Sequence, residues 1–404
     1  MEQSLKSKIW LSSPHMSGNE LTYIEEAFRC NWVAPVGPHI DVFEKDLCDY
    51  TGAAHSAVLS SGTAAIHLGL SLLGVKTDDY VLTQSLTFVA SANPIKYLGA
   101  TPVFIDSETD TWNMCPVQLE RAILACLKGD VRSPKGKGEP KLPKAIIPVH
   151  LYGMPANMSA IMEVANRYGI PVLEDAAEAL GSSYAQQSCG AMGKCGVISF
   201  NGNKIITTSS GGALISNDEE LIKNAKFLAT QAKDVAQHYE HSQVGYNYRL
   251  SNVLAGVGIA QLEVIDDRVA ARRSNFEFYK AYFSDIDGVE VLEEPNSKYF
   301  SNRWLTTIKI SSERAMGITR DDVMAALAFE NIESRPIWKP MHMQPLYSQY
   351  PYFGSGVSED IFETGLCLPS GSNLSAADLL RISNVFDELF QNCRYDQRKV
   401  AVNF

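Results

Sequence analysis

One lysine stands in the polar turn of the stretch Ser199-Phe200-Asn201-Gly202-Asn203-Lys204-Ile205-Ile206-Thr207-Thr208-Ser209-Ser210-Gly211-Gly212-Ala213-Leu214. Apolar runs flank this turn at residues 196–200 and 212–215, and they predict two β-strands. The amine of Lys204 would then lie between the strands and face whatever they enclose. A lysine that is framed and partly desolvated can attack a carbonyl group, whereas most lysines in turns are simply solvated. The functional interpretation therefore depends on residues elsewhere in the chain.

The composition is that of an ordinary globular protein. The chain has 404 residues, of which 45% are hydrophobic and 20% charged, and its formal net charge is −11. This negative charge argues against a broad face for a nucleic-acid backbone but allows a local pocket for a small anion. No apolar run reaches membrane-spanning length, and the first residues lack the apolar core of a secretory signal. We therefore expect a cytoplasmic protein without a nucleic-acid or membrane partner.

The cysteines are scattered rather than paired. They stand at positions 30, 48, 115, 126, 189, 195, 367 and 393, with no Cys-x-x-Cys pair and no His/Cys cluster at zinc spacing. This spacing predicts reduced, mostly packed thiols and no metal site.

Strand-like and helix-like segments alternate over the first part of the chain. Buried runs at 55–59, 80–83, 101–105, 144–149 and 170–173 predict strands, and helical patterns at 64–73, 88–98, 116–127 and 159–168 separate them. Repeated β-α-β units predict an α/β fold with a mostly parallel sheet flanked by helices, in which ligands bind at the carboxyl ends of the strands.

A change of pattern near residue 265 predicts two domains. Beyond it come a long charged helix at 266–283, a strand at 305–310 and helices at 320–329 and 375–390. We therefore predict a large domain over residues 1–265 and a smaller C-terminal α/β domain over residues 266–404. Residues 129–143 are rich in lysine, glycine and proline, and they predict a mobile surface loop or insertion without chemistry of its own.

Two further features meet the lysine at the predicted edge of the sheet. Gly62 and Thr63 lie between a strand and a helix, a position at which backbone N–H groups can bind a phosphate. Asp175 ends another buried strand, and its carboxylate could keep a ring nitrogen protonated. The alternative for Asp175 alone is a helix cap. The ordered combination of phosphate turn, strand-end acid and framed lysine favours a cofactor site.

Four motifs carry a resemblance to a known family. They are Ser61-Gly62-Thr63-Ala64-Ala65, Glu174-Asp175-Ala176-Ala177-Glu178, Ser199-Phe200-Asn201-Gly202-Asn203-Lys204 and Gly245-Tyr246-Asn247-Tyr248-Arg249-Leu250-Ser251. From about Trp10 to the last helix the chain resembles the pyridoxal-phosphate-dependent sugar aminotransferases of the DegT/DnrJ/EryC/StrS family. Within that family it most resembles the C4-aminotransferases of bacillosamine synthesis, on Ser13-Pro14-His15-Met16-Ser17-Gly18, residues 203–208, His238-Tyr239-Glu240-His241 and Arg335-Pro336-Ile337-Trp338-Lys339-Pro340-Met341-His342.

The resemblance implies a type I aminotransferase fold with pyridoxal 5'-phosphate as cofactor and pyridoxamine 5'-phosphate as an intermediate form. It implies that Lys204 forms the Schiff base and then shuttles a proton, and that Asp175 pairs with the ring nitrogen. It implies further cofactor contacts from Gly62, Thr63 and Ser199 at the phosphate, Phe88 at the ring face and Glu178 near the phenolic oxygen. Many relatives have glutamine where this chain has Glu178, so that last contact can differ.

The resemblance also implies partners and substrates. Asn247 would reach the cofactor of the neighbouring subunit, which implies a homodimer with shared active sites. The reaction implied is amino transfer from L-glutamate to C4 of UDP-2-acetamido-4-keto-2,4,6-trideoxy-hexose, in polysaccharide biosynthesis or protein glycosylation. Substrate contacts would come from His15, Trp32, Arg249, Lys339 and His342, although a packing or surface role is an equal alternative for each.

Three alternatives remain open at the level of sequence. The product can be another C4 epimer, or the substrate another 4-keto or 3-keto nucleotide sugar. A pyridoxamine-dependent sugar dehydratase is disfavoured, because those relatives have histidine in place of Lys204. A non-catalytic protein that binds the cofactor or a sugar nucleotide is disfavoured by the presence of both Lys204 and Asp175.

Overall fold

The computed structural model describes residues 6–134 and 136–400. Its helices are α1 (Glu20–Arg29), α2 (Pro38–Thr51), α3 (Gly62–Leu72), α4 (Asn93–Tyr97), α5 (Pro116–Lys128), α6 (Met158–Tyr168), α7 (Glu219–Ala229), α8 (Asn252–Leu262), α9 (Ile265–Phe283), α10 (Arg320–Phe329), α11 (Val357–Thr364) and α12 (Ala376–Val400). Its strands are β1 (His55–Leu59), β2 (Tyr80–Gln84), β3 (Thr101–Ile105), β4 (Arg132–Ser133), β5 (Gly136–Lys137), β6 (Ala145–Ile147), β7 (Leu173–Asp175), β8 (Ser183–Tyr184), β9 (Gln187–Ser188), β10 (Cys195–Ser199), β11 (Gly212–Ser216), β12 (Val289–Val291), β13 (Tyr299–Phe300), β14 (Thr306–Ile310), β15 (Arg335–Pro336), β16 (Tyr352–Phe353) and β17 (Gly365–Leu368).

The main sheet has the strand order β1-β11-β10-β7, and single bridges from β7 and the residues around it continue it into β6-β2-β3-β16. Its pairings are parallel except for the two that β11 makes with β1 and β10. The predicted α/β fold with a mostly parallel sheet is therefore confirmed. The antiparallel strand β11 is the return arm of a hairpin whose turn contains Lys204.

Helices cover both faces of the main sheet, and successive side chains of a strand point to opposite faces. Neighbouring residues of one strand therefore pack against different helices. Val197 packs with α3 and α7 on one face, whereas Ile198 packs with α2 and α8 on the other. Helix α3 packs directly on the sheet at Gly69. A Cβ added at Gly69 would stand only 2.5 Å from Leu173 Cδ1, so a larger residue there would force the Leu173 side chain to shift.

A second sheet of order β12-β14-β17-β15 lies in the C-terminal part and packs with α9, α10 and α12 around Tyr279, Phe283 and Phe386. Two C-terminal strands return to the first part of the chain. Strand β13 pairs with β8, and β16 adds to the edge of the main sheet beside β3. The two parts are thus joined by β-pairing as well as by the continuous chain.

The helix predicted at 88–98 is wrong in form. The segment contains a 3₁₀ turn, Val89–Ser91, followed by the short α4. Pro94 lies in the first turn of α4, where its missing N–H does no harm, whereas it could not continue a helix from Phe88.

The predicted loop at 129–143 contains the small β4–β5 hairpin, and Lys135 within it lies outside the described residues. The cysteines at 30, 48, 115, 126, 189, 195 and 367 are free, and Cys393 lies outside the residues whose side chains are described. In the described part of the chain, no group of histidine, cysteine and acidic side chains is arranged to hold a metal ion. None of the helices in that same part is both long enough and apolar enough to cross a membrane.

Candidate active site

Three strand ends and the start of α3 surround a cavity of about 930 Å³ at the carboxyl edge of the main sheet. The strands β1, β7 and β10 end there, and the turn between β10 and β11 closes one side. The cavity brings together eight of the residues predicted from the sequence, namely Gly62, Thr63, Phe88, Asp175, Glu178, Ser199, Lys204 and Lys339.

Lys204 projects into this cavity from the β10–β11 turn. Its Nζ lies 3.3 Å from Glu178 Oε1 and 4.1 Å from the centre of the Trp304 ring. The Lys204 side chain is only 11% exposed. An ammonium group so placed interacts both with a carboxylate and with the negative face of an indole ring. The amine is therefore held in one place and faces the interior of the cavity.

Glu178 is the buried partner of this amine. Its Oε2 accepts a hydrogen bond from the Tyr152 N–H at 2.7 Å, and only 4% of the residue is exposed. Burial raises the pKa of the Glu178 carboxyl to about 7, although the charge of Lys204 opposes this shift. The carboxyl can therefore hold or release a proton near neutral pH beside Lys204.

Asp175 ends β7 on the same edge of the sheet and is 4% exposed. The Ser91 hydroxyl donates to Asp175 Oδ2 at 2.6 Å, and the Ala177 N–H donates to Oδ1 at 3.2 Å. Both donors are neutral, so they orient the carboxylate without cancelling its charge. The arrangement offers a fixed negative charge to a cationic group inside the cavity.

The start of α3 forms a seat for an anion. Ser61 caps the helix by accepting a hydrogen bond from the Ala64 N–H at 3.0 Å. The first amides of a helix have no acceptor within it, so the N–H groups of Gly62 and Thr63 are available to a ligand in the cavity. A Cβ added at Gly62 would lie 3.2 Å from the Ser199 Cβ, so glycine keeps space open between the helix start and the end of β10.

Aromatic rings line another part of the cavity. Phe88 is 54% exposed, and its ring centre lies 5.5 Å from that of Trp338. Trp338 in turn contacts the rings of Tyr152 and Trp304 at 5.0 and 6.4 Å. Flat apolar faces next to a polar seat suit a ligand that carries a ring at one end and an anion at the other.

The other predicted residues do not line this cavity. Asn247 and Trp32 are exposed, on the segment that bridges to Thr230 and on the loop after α1, respectively. Arg249 pairs with the buried Glu44 and donates to the Val58 carbonyl at 3.1 Å, which is a packing role within the fold.

The two predicted histidines are also engaged elsewhere. His15 lies 3.1 Å from Ser372 Oγ and 3.4 Å from an Arg268 nitrogen. His342 lies between Ser85 Oγ at 2.7 Å and Glu359 Oε1 at 3.0 Å, and burial lowers its pKa despite the neighbouring carboxylate. Both side chains therefore hold loops together in this chain.

Several cavity residues have no counterpart in the sequence-based predictions. They are Ser91, which orients Asp175, Trp304, which covers Lys204, and the lining residues Arg335 and Trp338. The motif at 335–342 pointed to the last two only as part of a resemblance. Nothing local to Trp304 or Ser91 marks them, because each acts on a residue far away along the chain.

Comparisons with known proteins agree with this geometry. A family model described as the DegT/DnrJ/EryC1/StrS aminotransferase family matches residues 14–387. The chain is 51% identical over 390 residues to EpsN of Bacillus subtilis (strain 168), provisionally described as a pyridoxal phosphate-dependent aminotransferase. The match covers 96% of this chain and 97% of that one. The chain is 36% identical over 384 residues to the GDP-perosamine synthase of Caulobacter vibrioides, with 95% and 98% of the two chains covered.

A solved structure extends the similarity to three dimensions. The crystal structure of a DegT DnrJ EryC1 StrS aminotransferase from Brucella abortus has a TM-score of 0.83 to this chain, with 32% identity. The match covers 92% of this chain and 95% of that one. The predicted type I aminotransferase fold is thereby confirmed.

Proposed function

Because the chain belongs to the DegT/DnrJ/EryC1/StrS aminotransferase family and is a pyridoxal-phosphate-dependent sugar aminotransferase, we propose that it aminates C4 of a UDP-4-keto sugar. The sugar is UDP-2-acetamido-4-keto-2,4,6-trideoxy-hexose, and the amino donor is L-glutamate. The observation that carries the proposal is the convergence of Lys204, Asp175 and the start of α3 on one cavity. The choice of sugar is supported by the bacillosamine-type motifs of the sequence.

The residues of the cavity fit pyridoxal phosphate. The space kept open by Gly62 beside Ser199 can take phosphate oxygens at the start of α3. Asp175 offers a buried carboxylate to a protonated ring nitrogen, and Phe88 offers a flat apolar cover. Lys204 lies in the same cavity, where it can bind the cofactor covalently.

When bound, the cofactor would supply an electron sink and would carry the amino group between the donor and the keto sugar. Lys204 Nζ would hold the cofactor and, when free of it, would move the proton at the reacting carbon. Asp175, oriented by the Ser91 hydroxyl, would keep a proton on the ring nitrogen. Glu178 accepts or returns a proton at Lys204 Nζ, from which its own oxygen lies 3.3 Å away.

Two basic side chains in the cavity lining suit an anionic substrate. Arg335 and Lys339 both line the cavity and both are exposed, and Arg335 is paired with Glu333 at 2.8 Å, so an anionic ligand would replace that carboxylate. A guanidinium and an ammonium group together can bind a diphosphate or a carboxylate, which are the anions of a sugar nucleotide and of glutamate. Trp338 lies between them in sequence and presents a ring to the same space.

The proposal is tested by incubating the purified protein with pyridoxal phosphate, L-glutamate and the UDP-4-keto sugar. We expect 2-oxoglutarate and a 4-amino sugar nucleotide, and no product from Lys204→Ala, whose fold should be retained. The GDP-linked product in the name of the 36% identical relative makes a GDP-4-keto sugar the natural competing substrate. Turnover of the GDP sugar alone would contradict the proposed substrate, and absence of any amino sugar would contradict the proposed reaction.

We also propose that the enzyme is a cytoplasmic homodimer with shared active sites. Asn247 is exposed and lies outside the cavity of its own chain, as a residue that serves a neighbouring subunit must. The free thiols of the described cysteines suit a reducing compartment.

A further inference from the structure

The peptide group that precedes Lys204 is held at both of its polar atoms. The Asn203 carbonyl accepts hydrogen bonds from Ser12 Oγ at 2.8 Å and from Trp304 Nε1 at 2.7 Å. The N–H of the same peptide group, on Lys204, donates to the Asn201 carbonyl at 3.0 Å. These bonds fix the plane of the peptide group from which the Lys204 side chain leaves.

Arg272 holds both donors to the Asn203 carbonyl. Its Nη2 donates to Ser12 Oγ at 3.0 Å, and its Nη1 donates to the Trp304 carbonyl at 2.6 Å. A serine hydroxyl has a single hydrogen. Because Arg272 donates to the Ser12 oxygen, that hydrogen is free to point at Asn203. The guanidinium therefore sets the direction of one donor and the position of the other.

Arg272 is an unusual residue in this place. It lies on α9, is 1% exposed and forms no ion pair with a carboxylate of the described residues. Burial lowers the pKa of Arg272 to about 9, and the nearby Arg268 shifts it in the same direction, so the group is still charged at neutral pH. A buried charge without a counter-ion is costly. Its strong hydrogen bonds go instead to Ser12, Trp304 and the Ser370 carbonyl, the last at 3.1 Å.

The next residue on the same helix makes a useful contrast. Arg273 pairs with Glu294 and donates to the Ser301 carbonyl at 2.7 Å. It has the same chemistry and nearly the same position along α9, but it makes an ordinary ion pair and has no bond to Ser12 or Trp304. If a change at Arg272 has an effect that the same change at Arg273 lacks, that effect comes from the hydrogen bonds of Arg272 and not from the loss of any arginine on this helix.

We propose that Arg272 is a positioning residue for Lys204, which acts through Ser12 and Trp304 on the carbonyl of Asn203. This inference rests on the proposed role of Lys204 as the residue that binds the cofactor. The orientation of the Lys204 side chain would then depend on three distant parts of the chain, which are the N-terminal segment, α9 and the loop before β14. Trp304 contributes twice, because its ring also covers the Lys204 amine.

The test uses cofactor-free protein and no sugar substrate. Pyridoxal phosphate is titrated in, borohydride fixes it on lysine, and peptide mass spectrometry gives the label at Lys204 relative to surface lysines. Ser12→Ala combined with Trp304→Phe removes both donors and keeps most of the ring packing. We expect half-labelling of Lys204 to need about tenfold more cofactor, with a smaller rise for each single variant. Arg272→Met should act like the double variant, and Arg272→Lys should restore part of the labelling.

Arg273→Lys is the matched control and should label Lys204 as the wild type does. Wild-type labelling of Lys204 in the double variant and in Arg272→Met would overturn the proposal, as would an equal loss in Arg273→Lys. Thermal unfolding of each cofactor-free variant reports whether it folds. If the double variant does not fold, the labelling of the two single variants tests the proposal. Wild-type labelling does not depend on the sugar, so failure of the proposed substrate leaves this test intact.

Discussion

Glu178 is buried beside an amine, and its protonation should leave a mark on stability. Burial raises the pKa of its carboxyl from the ordinary 4.5 to about 7, so the folded protein binds this proton more tightly than the unfolded chain does. Stability is therefore lost as the pH rises between these two values, because the carboxyl ionises freely in the unfolded chain while burial keeps it protonated in the folded protein. A glutamine at this position has no proton to lose.

We expect Glu178→Gln to gain roughly 2 kcal/mol of stability relative to the wild type between about pH 5 and about pH 8, in cofactor-free protein. Urea unfolding of both proteins across this range measures the difference. The same pH dependence in the two proteins would show that the carboxyl is not the group responsible.

Local sequence signals reveal some residues of the site but not the partners that act on them. Asp175 and Lys204 could be singled out because each follows a strand whose apolar run is visible in the sequence. Ser91 could not, since it bonds Asp175 across 84 positions of the chain. Arg249 has the opposite problem. The family resemblance implied a substrate contact for it, but its partner Glu44 stands 205 positions away and no local pattern connects them.

At the scale of elements, the start of α3 depends on a glycine in β11. A Cβ added at Gly212 would lie 2.4 Å from the Gly62 nitrogen and 2.6 Å from the Ser61 carbonyl carbon, both backbone atoms that cannot turn aside. An alanine at position 212 must therefore push the start of the helix away from the sheet.

We expect Gly212→Ala to cost about 1–3 kcal/mol of stability and to weaken cofactor binding as well, because the displaced N–H groups form the anion seat. Denaturant unfolding and a cofactor titration measure the two effects. Gly202→Ala is the matched control within the same hairpin, since its added Cβ would meet nothing closer than 3.9 Å. Equal behaviour of the two variants would contradict the role given to this contact.

Elements with strong local signals were predicted well, and short elements were not. The helix predicted at 320–329 agrees with α10 at both ends, and Thr319 and Asp322 form a capping box at its N-terminus. Strands β13 and β16 have only two residues each, and they exist because distant strands offer them hydrogen bonds. Such pairings depend on the assembled sheet, so the sequence near them gives no sign of them.

At the scale of the whole molecule, we propose that the chain divides into two domains near residue 265. Helix α9 begins at Ile265, and the second sheet is built only from strands that follow it. The return of β16 to the edge of the main sheet ties the C-terminal part back onto the first one.

The proposed sharing of active sites between subunits predicts complementation. Lys204→Ala and Asn247→Ala should each be nearly inactive alone. A mixed dimer then holds one site with an intact lysine and an intact partner asparagine, so an equal mixture that is unfolded and refolded should recover about a quarter of wild-type turnover. No recovery would mean that Asn247 serves the site of its own chain or has no role in turnover.

Strand β1 also has a consequence for the order of events during synthesis. It pairs with β11 and bridges to Arg249, so both of its neighbours are translated roughly 150 residues or more after it. At typical ribosome speeds, on the order of ten seconds pass between the synthesis of β1 and the synthesis of its neighbours in the sheet. The anion seat at the start of α3 follows β1 directly and is shaped by Gly212. A nascent chain therefore becomes competent for its cofactor only when more than half of it has left the ribosome.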